Sequence, residues 1–147
     1  MEHRKSTTTI DHNPKCGTSR NVLGLIRNAG IEPTVVEYLK TPPDHAALRT
    51  LLQQLQLPAR AILREKGTPY AELDLGNPKW SEEELIDFIV QHPILLQRPI
   101  VVTPKGAALC RPSEKVLEIL DQPQQGAFSK EDGEPVVDAS GQLVRKD

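Results

Sequence analysis

Aromatic residues are nearly missing from this 147-residue sequence, at 3% of the chain, so its core has to be built mainly from Leu, Ile and Val. Cysteine is as scarce. Cys16 and Cys110 are too few for a disulfide-built secreted scaffold, and a reducing, cytoplasmic setting is the expectation. No excess of positive charge is present: 18 Lys and Arg against 20 Asp and Glu leave a formal net charge of −2. That balance argues against a general polyanion-binding surface, so no nucleic-acid partner is expected and anion binding must come from a few local cations. No apolar run approaches the ~20 residues of a membrane span, and residues 1–9 are polar, so neither a membrane segment nor a leader is expected. A glycine-rich phosphate loop is also lacking, and His3, His12, His45 and His92 are scattered. The sequence thus shows neither a nucleotide-binding nor a metal-binding pattern, and no bound cofactor is expected.

What is there reads as an ordered series of elements. Residues 8–12 are β-branched and stop at Asn13 and Pro14, which predicts a strand running into a turn. From Ser19, the apolar positions Val22, Leu23, Leu25, Ile26 and Ala29 recur at helical spacing, and Gly30 suits the end of that helix. Residues 34–39 form a second β-rich run, which a single-helix crossover places parallel to the first. Helices are predicted after Asp44, over 59–64, and from the capping pattern at Ser81 to Gln91. Residues 99–103 and 107–110 then read as a hairpin, and 113–120 as a closing helix. The order is β-α-β, helices, β-β-α, that of a thioredoxin-like α/β domain with a mixed sheet. The expected organisation is a flexible extension over 1–7, a domain over 8–120 with a helical insertion at 44–91, and a loosely packed tail over 121–147.

Cys16 falls between the end of a strand and the start of a helix, where unpaired backbone N–H groups and the positive end of the helix dipole meet. Both favour thiolate over thiol. The same N–H groups can cradle an oxyanion, with Gly17 allowing close approach and Thr18 and Ser19 adding hydroxyls. His12 is positioned to assist the thiolate. Most lone cysteines are small buried hydrophobes, but Cys16 follows Pro14 and Lys15 in a loop and lies on no apolar stripe, so the reactive reading ranks first. For Cys110, beside Ala107, Ala108 and Leu109, the core reading ranks first. Ser19 occupies the place where a dithiol oxidoreductase carries its resolving cysteine, and Val22 the place of the arginine in a low-molecular-weight phosphatase loop. The chain therefore needs an external thiol.

At these residues the chain resembles the glutathione- and glutaredoxin-dependent arsenate reductases of the ArsC type. The resemblance runs from Ile10 to about Val137, through HNPKCGTSRN at 12–21, RAILR at 60–64, QHPILLQRPIVVTP at 91–104, CRPSE at 110–114, and GAF at 126–128 with KEDGE at 130–134. It implies Cys16 as nucleophile and Arg64, Arg98 and Arg111 as the arginines lining an anion site, with His12 and Ser19 assisting the thiolate. Guanidinium forks suit tetrahedral oxyanions. Arg20, Arg27, Arg49 and Arg60 read as solvated surface residues. The fold resemblance also predicts a cis bond between Arg98 and the structural residue Pro99, bringing Arg98 beside Cys16. The implied chemistry converts arsenate to arsenite for detoxification, with glutathione as co-substrate and glutaredoxin as partner. Two other readings stand beside it: a thioredoxin-like regulator that binds RNA polymerase, and a glutathione-dependent reductase of another substrate.

Overall fold

The structure, a computed structural model, describes residues 7–144. All but Thr7 of the extension expected at 1–7, and the last three residues of the expected tail, lie outside the described residues. Two compact units are formed, Glu37–Gln97 and the flanking Met1–Val36 with Arg98–Asp147.

The flanking unit carries a four-stranded mixed sheet of order β2-β1-β3-β4. Its strands are β1 (Thr9–His12), β2 (Thr34–Glu37), β3 (Ile100–Thr103) and β4 (Gly106–Leu109). β1 pairs antiparallel with β3, Ile10 opposite Val101, and β3 pairs antiparallel with β4 through a tight turn. Helix α1 (Gly17–Asn28) connects β1 to β2 and buries Val22, Leu25 and Ile26 of the predicted stripe together with the polar Ser19, while Leu23 is only partly buried. Val22, Leu25 and Ile26 pack with Ile10, Val101, Cys110 and Val116 into one apolar cluster. The fold class is that of a thioredoxin-like α/β domain.

The segment after the sheet corrects the expectation of a loose tail. Val136 and Val137 are each only 2% exposed and belong to the same cluster. They lie on β6 (Pro135–Val137), which pairs antiparallel with β5 (Phe128–Ser129). The approach to this hairpin is tied to the end of α1: Asn28 Nδ2 donates to Gln124 Oε1 at 2.7 Å, and Gln124 Nε2 donates to Leu25 O at 2.8 Å. Gly24 has a steric reason to be glycine, because a Cβ there would stand 2.7 Å from the Phe128 ring. Two strands this short leave too few apolar residues for a recognisable alternation, which is why the sequence pattern misses them. The closing element at 113–120 is a 3₁₀ helix, Ser113–Glu118, rather than an α-helix.

The second unit is wider than the expected insertion at 44–91. Its margins are buried too: Tyr38 is 1% exposed and its hydroxyl reaches Leu96 O at 3.4 Å, while Leu63 bridges to Leu96. Helix α2 (His45–Leu55) is capped by Asp44, whose side chain accepts from the Ala47 N–H. Helix α3 (Glu82–Gln91) carries the full capping box of Ser81 and Glu84. They pack through Leu48, Leu51, Leu52, Leu85, Ile86 and Ile89. The helix expected over 59–64 is a 3₁₀ turn, Ala59–Ile62, and residues 66–80 are turns rather than helix, with Trp80 Nε1 bound to Asp74 O.

Candidate active site

β1 delivers His12 to its end, and the chain turns through Asn13 and Pro14 before α1 begins. Asn13 organises this loop: its carbonyl accepts from the Cys16 N–H at 3.0 Å and its Oδ1 from the Lys15 N–H at 2.9 Å. Cys16 stands at the N-cap of α1, in extended conformation at φ −97° and ψ 121°. The helical ladder starts with Arg20 N–H on Cys16 O, so the N–H groups of residues 17–19 precede it. No acidic residue occupies the first turn, and the dipole's positive end is left for the sulfur or an anion.

Ser19 is fully buried, and its hydroxyl oxygen accepts from the Asn13 N–H at 3.1 Å and lies 2.6 Å from His12 Nδ1. That pair braces the base of the loop from beneath. The backbone N–H of Ser19, by contrast, donates to the Cys16 sulfur. Thr18 and Gly17 are half-buried in the first turn, where a Cβ on Gly17 would make only ordinary contacts with Arg20 and Glu131.

Two of the expected arginines meet Cys16. Arg98 and Pro99 are joined by the predicted cis bond, and Arg111 and Pro112 by a second one that the sequence reading does not include. Arg111 Nη1 lies 3.8 Å from Cys16 Sγ and also donates to Arg98 O at 3.0 Å, linking the two arginine segments. Burial alone would push the Cys16 thiol up. Donation from the Ser19 N–H, Arg98 and Arg111, together with the Arg98 charge, outweighs it and holds the thiol below its ordinary value. Nε and Nη1 of Arg98 are buried with no hydrogen-bond partner among the described residues. Orphaned buried donors of this kind cost free energy unless something accepts from them, and here they belong to an arginine that helps lower the Cys16 thiol.

The remaining expected residues are placed as follows. Arg64 belongs to the Glu37–Gln97 unit, where its Nε donates to Lys66 O and its Nη1 to Gln97 Oε1. Cys110 is fully buried in the apolar cluster, and burial pushes its thiol up to about 12; both cysteines are free. Arg27 and Arg49 pair with Glu32 and Glu83 at the surface. Among the described residues, no helix is long and apolar enough to cross a membrane.

Known proteins match this chain over most of its length. The ArsC family model covers residues 12–119. The chain belongs to the ArsC family. It is 60% identical over 138 residues to an arsenate reductase of Rhizobium meliloti, an alignment covering 94% of this chain and 99% of that one. Identity is 56% over 140 residues to the arsenate reductase of Escherichia coli K12, covering 95% and 99%. Among solved structures, the arsenate reductase from Vibrio cholerae superposes with a TM-score of 0.76 at 45% identity, over 80% of this chain and all of that one.

Sequence reasoning passed over several residues that shape this ArsC-family site. Asn13 reads as a turn former, yet its backbone and side chain hold the loop through three bonds. Arg20 reads as a solvated surface residue, and it is exposed, but its guanidinium is fixed on Glu131 and on Pro14 O. The signal available in the sequence was the KEDGE string at 130–134, which the resemblance includes without giving it a role.

Proposed function

We propose that the chain is an arsenate reductase in which the Cys16 thiolate attacks arsenate, with glutathione and glutaredoxin as electron donors in the cytoplasm. The observation that carries the reading is the pair of orphaned Arg98 donors beside a thiol that the surrounding N–H groups and guanidiniums favour as thiolate. They offer an oxyanion two charge-assisted bonds at the point where the sulfur can reach it. The substrate itself is taken from the named relatives, since phosphate and sulfate share the tetrahedral shape.

In the proposed sequence the thiolate forms a sulfur–arsenic(V) bond and a protonated arsenate oxygen leaves as water. Residues 17 and 18 offer N–H groups to the oxyanion while Arg98 and Arg111 compensate its charge. Glutathione adds to the arsenic through its own sulfur, displacing a second water. A glutaredoxin thiolate then attacks the glutathione sulfur, forming a mixed disulfide and leaving the sulfur–arsenic electron pair on arsenic, now trivalent. Hydrolysis of the remaining bond frees arsenite and regenerates Cys16. Arg64, named by the resemblance, is assigned to anion binding in this reading, and Arg64→Lys tests it by a raised KM for arsenate. Ser19 and His12 act by bracing the loop and by the Ser19 N–H on the sulfur.

The test is an assay coupling glutathione, glutaredoxin, glutathione reductase and NADPH. Arsenate-dependent NADPH consumption is expected with the native chain and not with Cys16→Ser. Reduction of a glutathione mixed disulfide without any response to arsenate would overturn the substrate assignment.

A further inference from the structure

The turn between β5 and β6 is short and exposed, yet it makes two ion pairs in two directions. Glu131 accepts from Arg20 Nε at 2.7 Å and from Nη2 at 2.9 Å, a bidentate fork, while Arg20 Nη1 donates to Pro14 O at 2.7 Å. The Glu131 N–H donates to Asn21 Oδ1 at 3.0 Å, so backbone as well as side chain is fixed to the first turns of α1. One residue earlier, Lys130 Nζ pairs with Glu114 Oε1 at 2.8 Å, and this pair is largely shielded, the side chains being 15% and 29% exposed. Glu114 lies three residues beyond Arg111, in the 3₁₀ helix Ser113–Glu118. The turn itself is stiff: the Gly133 N–H binds Lys130 O, the Lys130 N–H binds Glu134 O, and the Glu134 N–H binds Asp132 Oδ1.

We infer that the 130–134 turn is a clamp that sets the separation of nucleophile and guanidinium, with Glu131 and Lys130 as positioning residues: Glu131 holds the Cys16 loop through Arg20, and Lys130 holds the Arg111 segment through Glu114. The inference deepens the reading of Cys16 as nucleophile and rests on it. Arg111 Nη1 stands 3.8 Å from Sγ, at the edge of a useful sulfur contact, so small displacements of either segment remove it. The Arg20–Glu131 anchor by itself is an exposed ion pair of little consequence for stability, whereas Lys130–Glu114 is largely shielded. Held by one rigid turn, the two fix a distance between segments 95 residues apart in the chain. The hairpin is supported in turn by Phe128 on Gly24 and by Val136 and Val137 in the core.

Glu131→Gln decides the matter because the clamp and simple electrostatics predict opposite signs. The Cys16 charge strengthens Arg20's hold on its proton, so the two groups interact, and Glu131 offsets Arg20. Removing that carboxylate without moving anything would leave the thiolate better stabilised and lower its pKa. Loosening the clamp withdraws Arg111 and raises it. The measurement is Cys16 thiolate absorbance and iodoacetamide alkylation against pH on the full chain, which needs no arsenate and so fails separately from the functional reading. We expect the Glu131→Gln thiol to titrate roughly 0.5 unit or more higher, with alkylation near pH 6.5 slowed about threefold or more. Lys130→Met, at the other anchor, is expected to act in the same direction, and the double variant to lose little beyond either single one. In turnover, kcat should fall while arsenate KM changes little, and Glu131→Asp should restore part of it. An unchanged or lowered thiol pKa in folded Glu131→Gln overturns the clamp, as does full additivity in the double variant.

Discussion

Arg98→Met in a Cys16→Ser background separates anion binding from chemistry and from stability. Nε and Nη1 of Arg98 are buried without acceptors among the described residues. Two such donors cost ~1–3 kcal/mol each relative to being satisfied, so replacing them with an apolar chain of similar length should leave stability unchanged or raise it. An oxyanion accepting from both gains ~1.5–3 kcal/mol per charge-assisted bond, ~3–6 kcal/mol together. At ~1.4 kcal/mol per tenfold, arsenate affinity should fall on the order of 10²–10⁴. Arg98→Lys, which can make one such bond, should fall between the two. Titration calorimetry with arsenate gives the affinities and urea unfolding the stabilities. The reasoning fails if Arg98→Met binds arsenate within threefold of its parent, or if the ligand-free variant is clearly less stable.

Cys110→Ser is expected to keep most reductase activity, and the native Cys110 should resist iodoacetamide until the chain unfolds, because burial pushes its thiol up to about 12. Asp11 is lifted by burial from 3.8 to about 6, so its stabilising contribution is full below pH 3.8 and is lost as pH rises through 6; Asp11→Asn should therefore gain on the native chain between pH 4 and pH 8, by on the order of 3 kcal/mol in urea unfolding. Gly24→Ala replaces a poor helix former with the best one yet should destabilise by about 1–2 kcal/mol, since its methyl would meet the Phe128 ring at 2.7 Å; thermal melts should show Phe128→Leu relieving most of that loss.

The parts of this molecule legible in its sequence are those governed by local rules. Most of the stripe of α1, the capping box at Ser81 and Glu84, and the hairpin of β3 and β4 follow from periodicity and turn chemistry, and each is found, with Gly106 joining β4 rather than the turn. The position of Cys16 follows equally, because a strand end feeding a helix start fixes where the dipole points. What was not legible depends on partners distant in the chain. Whether Arg20 is a solvated surface residue or half of a bidentate pair is decided by Glu131, 111 residues away. Val136 and Val137 have too short a strand to show alternation, and their burial is decided by the cluster they complete. The margins of the Glu37–Gln97 unit are hidden from local rules for the same reason: Tyr38 and Leu96 are connected by a bond across 58 residues.

The site divides its labour between rigid and responsive parts. Ser19 and His12 are buried and occupied with each other and with Asn13, so they hold the loop whatever the state of the sulfur. Arg98 and Arg111 face the sulfur, and their segments are tied by the bond from Arg111 Nη1 to Arg98 O. A guanidinium placed to stabilise a thiolate must turn partly to an oxyanion when one arrives, and the two demands conflict if the same N–H atoms serve both. In Arg98, which helps lower the Cys16 thiol, Nε and Nη1 are buried with no hydrogen-bond partner among the described residues, and an oxygen placed on them would satisfy both. Each oxygen accepted there offsets the desolvation cost of a buried donor, a gain that comes with the anion and favours an oxyanion at this point.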